Sequence, residues 1–575
     1  MLEKLFLKLK NLYRRIDMKI NRRKYGYLDK LPKNIKYFKG SLYDAIYDAS
    51  CKWPHNVAIE YYDRQFTYRE FIKETDKVAR CLRGLGVEKG DYITVCMPNT
   101  PEATMFFYAI NQVGAIANMI HPLSSEKEIE YYLNKTKSKV MLCIDITYPK
   151  LKEIIDNTKV EKVIIASATR SMEKIVQFIY WLKKGRKLKV KEDTRVILWK
   201  TFEKYEKKFV GNPRVIVDAD DPAVILYSGG TTGTPKGVVL TNMNLNAEAL
   251  QAAYAVSFLV PENSILTFLP NFHCFGLAVS THIPLNYGMR VILIPQFNIK
   301  KLKHYMRKYR FNIMCGVPTI YDYITKMKWK KNELKDFKIA LVGGDAISTE
   351  LKELTNETLK KYGSPAKLQI GYGLTEASSV VSYSPIEEKN AEIIGYALPN
   401  CDFLVKDLNA DAEAPLGESG EILVSGPVLM KEYLDDEKET KNAFIELNGK
   451  KWLRTGDVGF LDKKGLMHYQ SRLKRMIITS GYNVYPSQVE KVIMSSEVVD
   501  KCAVIGVPDK NKGEIVKAFI VLKEGINSII ARTKIQKVLK ENLARFEQPR
   551  EFKYVDSLPI TKLGKIAYKE LENIK

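Results

Sequence analysis

The sequence predicts an α/β protein with a large N-terminal domain built on several sheets and a small α+β domain at the C-terminus. Three observations carry this expectation. The chain has 575 residues, far beyond the size at which one hydrophobic core keeps growing. Between residues 66 and 344, short apolar runs alternate with helical segments, the pattern of strands joined by helices around mainly parallel sheets. Past Gly465 the text changes to a compact series of strands and helices that runs to the end.

Taken in order, residues 1–36 form a basic prelude. In MLEKLFLKLKNLYRRI, Leu2, Leu5, Leu9 and Leu12 recur at helical spacing beside Phe6 and Tyr13, with lysines and arginines on much of the other face. Such a helix suits an anionic membrane surface, or equally packing on the body of the protein or a second subunit. FTYREFIKETDKVARCLRGLG (66–86) is helical and closes on glycine. DYITVCMP (91–98) reads as a strand, PEATMFFYAINQVGA (101–115) as a helix and KVMLCID (139–145) as a strand. Residues 160–205 interrupt this rhythm and set FIYW (178–181) directly before the bases of WLKKGRKLKVK, either an interfacial element or a solvated insertion. AVIL (223–226), RVILIP (290–295), FNIMCG (311–316) and KIALVGG (338–344) are further strands. The domain expectation is an extension over 1–36, a large domain over 37–470 and a small one over 471–575.

Composition narrows the function classes. Apolar residues make up 45% and charged residues 27%, ordinary globular usage. No run reaches the ~18 apolar residues of a membrane span, and the start has no signal-peptide pattern. A cytoplasmic protein, peripheral at most to the inner face of the membrane, is the expectation. The eight cysteines include no CxxC pair, and Cys81, Cys96 and Cys143 sit in apolar text as buried thiols do. The net charge of +24 comes without a nucleic-acid-binding module, so acidic substrates or anionic lipid suit it better than nucleic acid.

After the apolar run 223–226 comes YSGGTTGTPKG (227–237). Gly229, Gly230, Gly233 and Gly237 let the backbone approach an anion, and successive N–H groups there can form an anion nest. Ser228, Thr231, Thr232 and Thr234 add hydroxyls and Lys236 a positive charge. The pattern is neither GxxxxGK[ST] nor GxGxxG. It resembles the phosphate loop of the adenylate-forming (AMP-binding) superfamily, most like bacterial long-chain fatty acyl-CoA synthetases. Four further stretches resemble that family's motifs in order: QIGYGLTEAS (369–378), WLRTGDVGF (452–460), SRLKRMIITSGYNVYP (471–486) and PITKLGKI (559–566). Weaker likeness, as in YITVCMPNTPEATMFFYAINQVGAI (92–116), carries back to about residue 40.

The resemblance implies an ATP-dependent acid–thiol ligase that forms acyl-adenylate and pyrophosphate, then thioester and AMP. Glu376 would hold Mg²⁺ with Ser228, a role that suits an oxygen donor, and Thr375 would contact the α-phosphate. Gly344, Asp345, Gly371, Tyr372 and Gly373 would line adenine and the acyl group. Asp457 and Arg472 would hold the ribose, a carboxylate being able to accept both hydroxyls. Lys474 would be the hinge, Lys565 the lysine of the adenylation half, and Ser480, Gly481 and Tyr482 the pantetheine path. Ser471 departs from the family's usual Gly or Asp, but no role rests on it.

PNFHCFGLA (270–278) bears on the acid. By the resemblance Phe272 and His273 would line or gate the acyl group, while Gly276, Gly371 and Gly373 add no bulk, compatible with a long apolar tunnel. No acid follows in CFGLAVSTHIPL to receive a substrate amine. The expected acid is therefore a fatty acid and the acceptor coenzyme A. A carrier protein as acceptor, an aryl or bile-acid-type substrate, and a non-catalytic nucleotide-binding scaffold at the membrane stay as alternatives.

Overall fold

The computed structural model describes residues 35–185, 188, 190–228, 235–256, 258–479, 482–509, 512–560 and 566–574. The expected helix near the N-terminus, the loop residues Gly229, Gly230, Thr231, Thr232, Gly233 and Thr234, and Ser480, Gly481 and Lys565 lie outside the described residues.

Local sequence accounts for the helices that frame the large domain. Thr67 caps the helix Tyr68–Gly84 in a reciprocal box with Glu70, and Phe71, Ile72, Val78, Cys81 and Leu82 on its inner side are buried. The chain leaves that helix through Gly86 at φ +87°, a conformation glycine adopts without a Cβ penalty. The helix Pro101–Gln112 starts on a Thr100 cap with proline in its first turn. All of its residues are buried, so its apolar text shows little amphipathic period.

Among the described residues these elements build three sheets. One has eight strands in the order Glu432–Tyr433, Lys236–Thr241, Pro222–Ser228, Ile116–Met119, Tyr92–Cys96, Val140–Ile144, Lys162–Ala166 and Val196–Leu198. From Pro222–Ser228 to its far edge the pairing is parallel. Val140–Ile144 is buried along its length, as a strand covered on both faces must be.

The second sheet has fourteen strands. Ser264–Thr267, Ile313–Gly316, Ile339–Val342 and Leu368–Tyr372 run parallel, after which the pairing turns antiparallel at Ser382–Tyr383. It continues so through Ile393–Ala397 to Met467–Arg472 and Lys450–Leu461. A break in strand direction leaves a crevice beyond the strand ends, where open α/β sheets hold ligands. QIGYGLTEAS leaves the sheet at that place.

The third sheet is the small α+β unit. Tyr482–Val484, Ile477–Thr479, Gly513–Leu522 and Val499–Asp509 follow one another, and Glu551–Tyr554 pairs with Gly513–Leu522. Ile477, Val489, Ile493, Val504, Val516, Ile535 and Leu539 fill its core under the helices Pro486–Met494 and Ser528–Asn542. Inside it Arg475 pairs with the partly buried Glu490 at 2.6 Å and covers the Tyr568 ring at 3.6 Å. A charge withdrawn from water needs such a partner.

Candidate active site

The phosphate-loop text is flanked by the two strands of a hairpin. Pro222–Ser228 and Lys236–Thr241 run antiparallel, with Ser228 opposite Lys236. The two side chains flanking the loop are therefore held by a ladder. Ser228 Oγ donates to Glu376 Oε1 at 2.8 Å, and Tyr433 OH donates to the same oxygen at 3.0 Å. Thus residues far apart in sequence meet on one carboxylate.

Glu376 belongs to a short turn, Thr375–Ala377. Its own carbonyl accepts from Met430 N at 2.8 Å, and Cys274 Sγ lies 3.6 Å from Thr375 Oγ1. The turn closes through Ser378 at φ 66°, ψ −57°, with Ser379 N donating to Ala377 O at 2.8 Å. This positive-φ γ-turn is a strained conformation for a residue with a Cβ. Ser378 Oγ holds it by donating to Val428 O at 2.7 Å.

Lys236 forms an ion pair with Glu439 and lies 4.7 Å from the Tyr433 ring centre. Glu439 sits below the usual carboxylate range because of the Lys236 contact, with Lys474 adding to the effect. One acid is therefore close to both the loop lysine and the expected hinge lysine. Tyr433 and Glu439 were not singled out from the sequence. YLDDEKET (433–440) reads locally as a charged surface, and only the edge strand Glu432–Tyr433 on the hairpin brings it to the site.

A second group lies where the antiparallel strands pair. Asp457 stands opposite Arg472, and their side chains form an ion pair at 3.0 Å. Tyr372 OH donates to Asp457 Oδ2 at 2.6 Å. Asp457 is 1% exposed. Burial raises its pKa above 3.8, with Arg472 and the Tyr372 bond opposing that shift. Burial also holds the Tyr372 phenol well above its usual range. Gly344 has φ +78° and Asp345 is exposed, at the end of Ile339–Val342 in the same crevice.

The expected tunnel glycines have other reasons to be glycine, which corrects the reading of Gly276 and Gly373 as room for a chain. A Cβ on Gly276 would lie 2.1 Å from Pro270 O, and one on Gly373 1.5 Å from Ser379 O. Both mark close backbone approaches. Gly371 has ordinary contact, its Cβ direction meeting the Tyr383 ring at 3.4 Å. Phe272 packs against His121 at 4.4 Å between ring centres, the rings tilted by 46°, and His273 Nδ1 accepts from Phe275 N at 3.3 Å. Glu248 was also missed. It lies in the buried helix Asn242–Ala255, accepts from Val380 N at 2.7 Å and is pushed far above the usual carboxylate range by burial.

Lys474 lies in the turn Leu473–Arg475, directly after Arg472. Tyr482 begins a strand of the small sheet and stacks on Phe546 at 4.5 Å. Among the described residues no cluster of three or more His, Cys, Asp or Glu could hold a metal. One carboxylate beside a hydroxyl, as in Glu376 and Ser228, fits a Mg²⁺ ion that takes its other ligands from phosphates and water. No helix among the described residues is long and apolar enough to cross a membrane. The eight cysteines are free, with Cys81, Cys96 and Cys143 buried.

Residues 47–434 match the family described as AMP-binding enzyme, and residues 488–565 match the AMP-binding enzyme C-terminal domain. The chain belongs to the AMP-binding enzymes. A long-chain-fatty-acid–CoA ligase of Bacillus subtilis is 30% identical over 95% of this chain and 96% of its own length. ATP-bound MatB from Rhodopseudomonas palustris has the same fold, with TM-score 0.80, 24% identity and coverage of 93% and 99% of the two chains. Without ligand the same enzyme scores 0.73 over the same shares at 24% identity. The o-succinylbenzoate CoA synthetase of Bacillus subtilis, in complex with its acyl-adenylate, scores 0.72 at 23% identity over 94% and 99%. As a member of this family the chain is an AMP-forming acid–thiol ligase that works through an acyl-adenylate.

Proposed function

We propose that this AMP-binding enzyme joins a fatty acid to coenzyme A. The full-length similarity to a long-chain-fatty-acid–CoA ligase carries the choice of acid. The aromatic contacts of Phe272 and of Tyr383 against Gly371 agree with an apolar acyl group. A second reading, ligation of an aryl or other short carboxylic acid, is favoured by the likeness to o-succinylbenzoate CoA synthetase. That likeness ranks fold and not acid, since one enzyme moves from 0.80 to 0.73 between its ATP-bound and apo states. The score follows conformation more than pocket chemistry.

In this proposal a carboxylate attacks the α-phosphate of ATP, so positive charge must be gathered where two anions meet. Lys236 leaves Glu439 for the β- and γ-phosphates, beside the hydroxyls and backbone of the 228–236 loop. Thr375 contacts the α-phosphate, and Glu376 with Ser228 beside it would hold Mg²⁺. The ion would supply Lewis-acid neutralisation of the phosphates. Tyr372, Gly371 and Gly373 line adenine with Gly344 and Asp345. Asp457 receives the ribose hydroxyls and Arg472 steadies it. Lys565 serves the first half-reaction. Rotation about Lys474 then brings Ser480, Gly481 and Tyr482 to the pantetheine arm for the second, separating two incompatible arrangements of one site. The large and small domains would divide near residue 471.

AMP release from a panel of acids tests the choice of acid. The panel runs from acetate to long-chain fatty acids and includes benzoate-type acids, each with coenzyme A and with a loaded carrier protein. The expected result is highest kcat/KM for long chains with coenzyme A. Preference for an aryl acid, or for the carrier protein, would replace this reading. Lys565→Ala tests the division of roles: it should nearly abolish adenylation and spare thioester formation from supplied acyl-adenylate.

A further inference from the structure

The helix Lys174–Tyr180 has none of its residues buried, although most of its text is apolar. Ile175 is 71% exposed and Phe178 59%, and Ile179 and Leu182 are exposed as well. These four positions follow the i, i+3, i+4, i+7 spacing of one helical face. In a helix packed on a core that face points inward. Here the polar side holds the helix to the protein instead. Gln177 Nε2 donates to Arg170 O at 2.9 Å and to Met172 O at 2.8 Å, and Tyr180 OH donates to Asp145 Oδ1 at 2.9 Å. The tethers leave the apolar stripe outward. Trp181, half exposed, extends it and stacks on Phe178 at 6.0 Å.

A contiguous exposed apolar surface of this kind marks an interaction site, and charge identifies what it meets. Lys174 and Lys183 beside the stripe are exposed. From Lys174 to Lys191 the sequence holds no acid, and KKGRKLKVK follows the aromatic pair. Residues 1–34 are themselves rich in bases, and the whole chain carries +24. Neither the N-terminal segment nor a second copy therefore offers charge complementarity. An anionic surface does. Aromatic rings beside lysines are the composition that settles at a lipid headgroup boundary.

We propose that the face formed by Ile175, Phe178, Ile179, Trp181 and Leu182, bordered by Lys174 and Lys183, docks the enzyme on an anionic lipid bilayer. The apolar stripe enters the headgroup boundary while the lysines meet lipid phosphates. Insertion supplies affinity that persists at high salt, and the lysines supply a part that salt screens. This surface is separate from the ATP and acyl machinery and goes beyond the ligase reading.

The test uses the full-length chain with vesicles of phosphatidylcholine, alone or mixed with phosphatidylglycerol. Wild-type protein should cosediment with the mixed vesicles and bind phosphatidylcholine alone at least about tenfold more weakly. Ile175→Ser with Phe178→Ser should weaken binding to the mixed vesicles by at least about tenfold, and Lys174→Glu with Lys183→Glu should reduce its salt dependence. Melting temperature and turnover of a short soluble acid should stay unchanged in both. Brominated lipid should quench wild-type fluorescence more than that of Trp181→Phe. Wild-type vesicle binding by the Ile175/Phe178 variant overturns the proposal, as does a lowered melting point with binding intact, which would make the stripe internal packing. Capture of an acidic carrier protein through this face, without vesicle binding, overturns it in favour of a protein partner.

Discussion

Asp457→Asn isolates one acceptor at the centre of the site. Asp457 is buried, 2.6 Å from Tyr372 OH and 3.0 Å from Arg472 Nη1. Asparagine keeps the shape and one carbonyl acceptor for Tyr372, so the local fold should survive. The loss is negative charge and the second oxygen. If both ribose hydroxyls donate to this carboxylate, two charge-assisted bonds of about 1.5–3 kcal/mol each are at stake. The remaining carbonyl recovers part of that, leaving a loss of about 2–4 kcal/mol, or roughly 30- to 1000-fold in kcat/KM for ATP. The assay is pyrophosphate release at saturating acid, with ATP varied, and a melting curve for each protein. The pH profile adds a second readout. Only the ionised form accepts both hydroxyls, and burial holds the pKa above 3.8. The acid limb of kcat/KM for ATP should therefore lie above pH 3.8 in the wild type and its Asp457 component should vanish in the variant. Linkage has the opposite sense for stability. A carboxyl raised in the folded state stabilises the fold below pH 3.8, and that contribution is lost as pH rises through the folded value. A change under about threefold in kcat/KM, with an unaltered melting curve, would refute the ribose assignment.

Other perturbations read different parts of the site. Glu439→Gln should release Lys236 and lower KM for ATP by roughly two- to fivefold, the scale of a partly exposed ion pair; a raised KM in initial-rate measurements would mean that Glu439 assists the nucleotide. Gly373→Ala forces a Cβ against Ser379 O, displacing the Thr375–Glu376 turn, with about 1–3 kcal/mol of lost stability and a fall in adenylation by pyrophosphate exchange. Gly456→Ala is its control, because that glycine has φ +67° and open space around its Cβ direction; it should cost only about 1 kcal/mol in chemical denaturation. Gly276→Ala should lower the melting point and reduce turnover equally for acids of all lengths, since its Cβ would meet Pro270 O; a selective loss of long chains would restore the tunnel reading.

Legibility in the sequence tracked how local the physical cause was. The Thr67 and Thr100 caps, the glycine exit at Gly86 and the apolar runs 92–96 and 140–144 all follow from neighbouring residues, so these helices and strands stand where the text puts them. The ordered motifs from YSGGTTGTPKG onward were enough for the family and its two-step chemistry, because a site made of loops beside strand ends leaves short, recognisable text. The sequence also flagged FIYW beside a basic run, but left open whether that segment is interfacial.

Tertiary structure decided what depends on distance across the chain. That Tyr433 and Ser228 share Glu376, and that Glu439 holds Lys236 with Lys474 near it, follows from an edge strand joining the hairpin. A charged stretch such as 433–440 has the same composition on a surface or in a site. Gly276 and Gly373 read alike as open space until the carbonyls of Pro270 and Ser379 are placed against them. The apolar stripe of Lys174–Tyr180 would suit a core helix by period alone. Gln177 and Tyr180 tether its opposite side and turn it outward. Period and composition specify which residues share a face, but the partners held by the other face decide where it points.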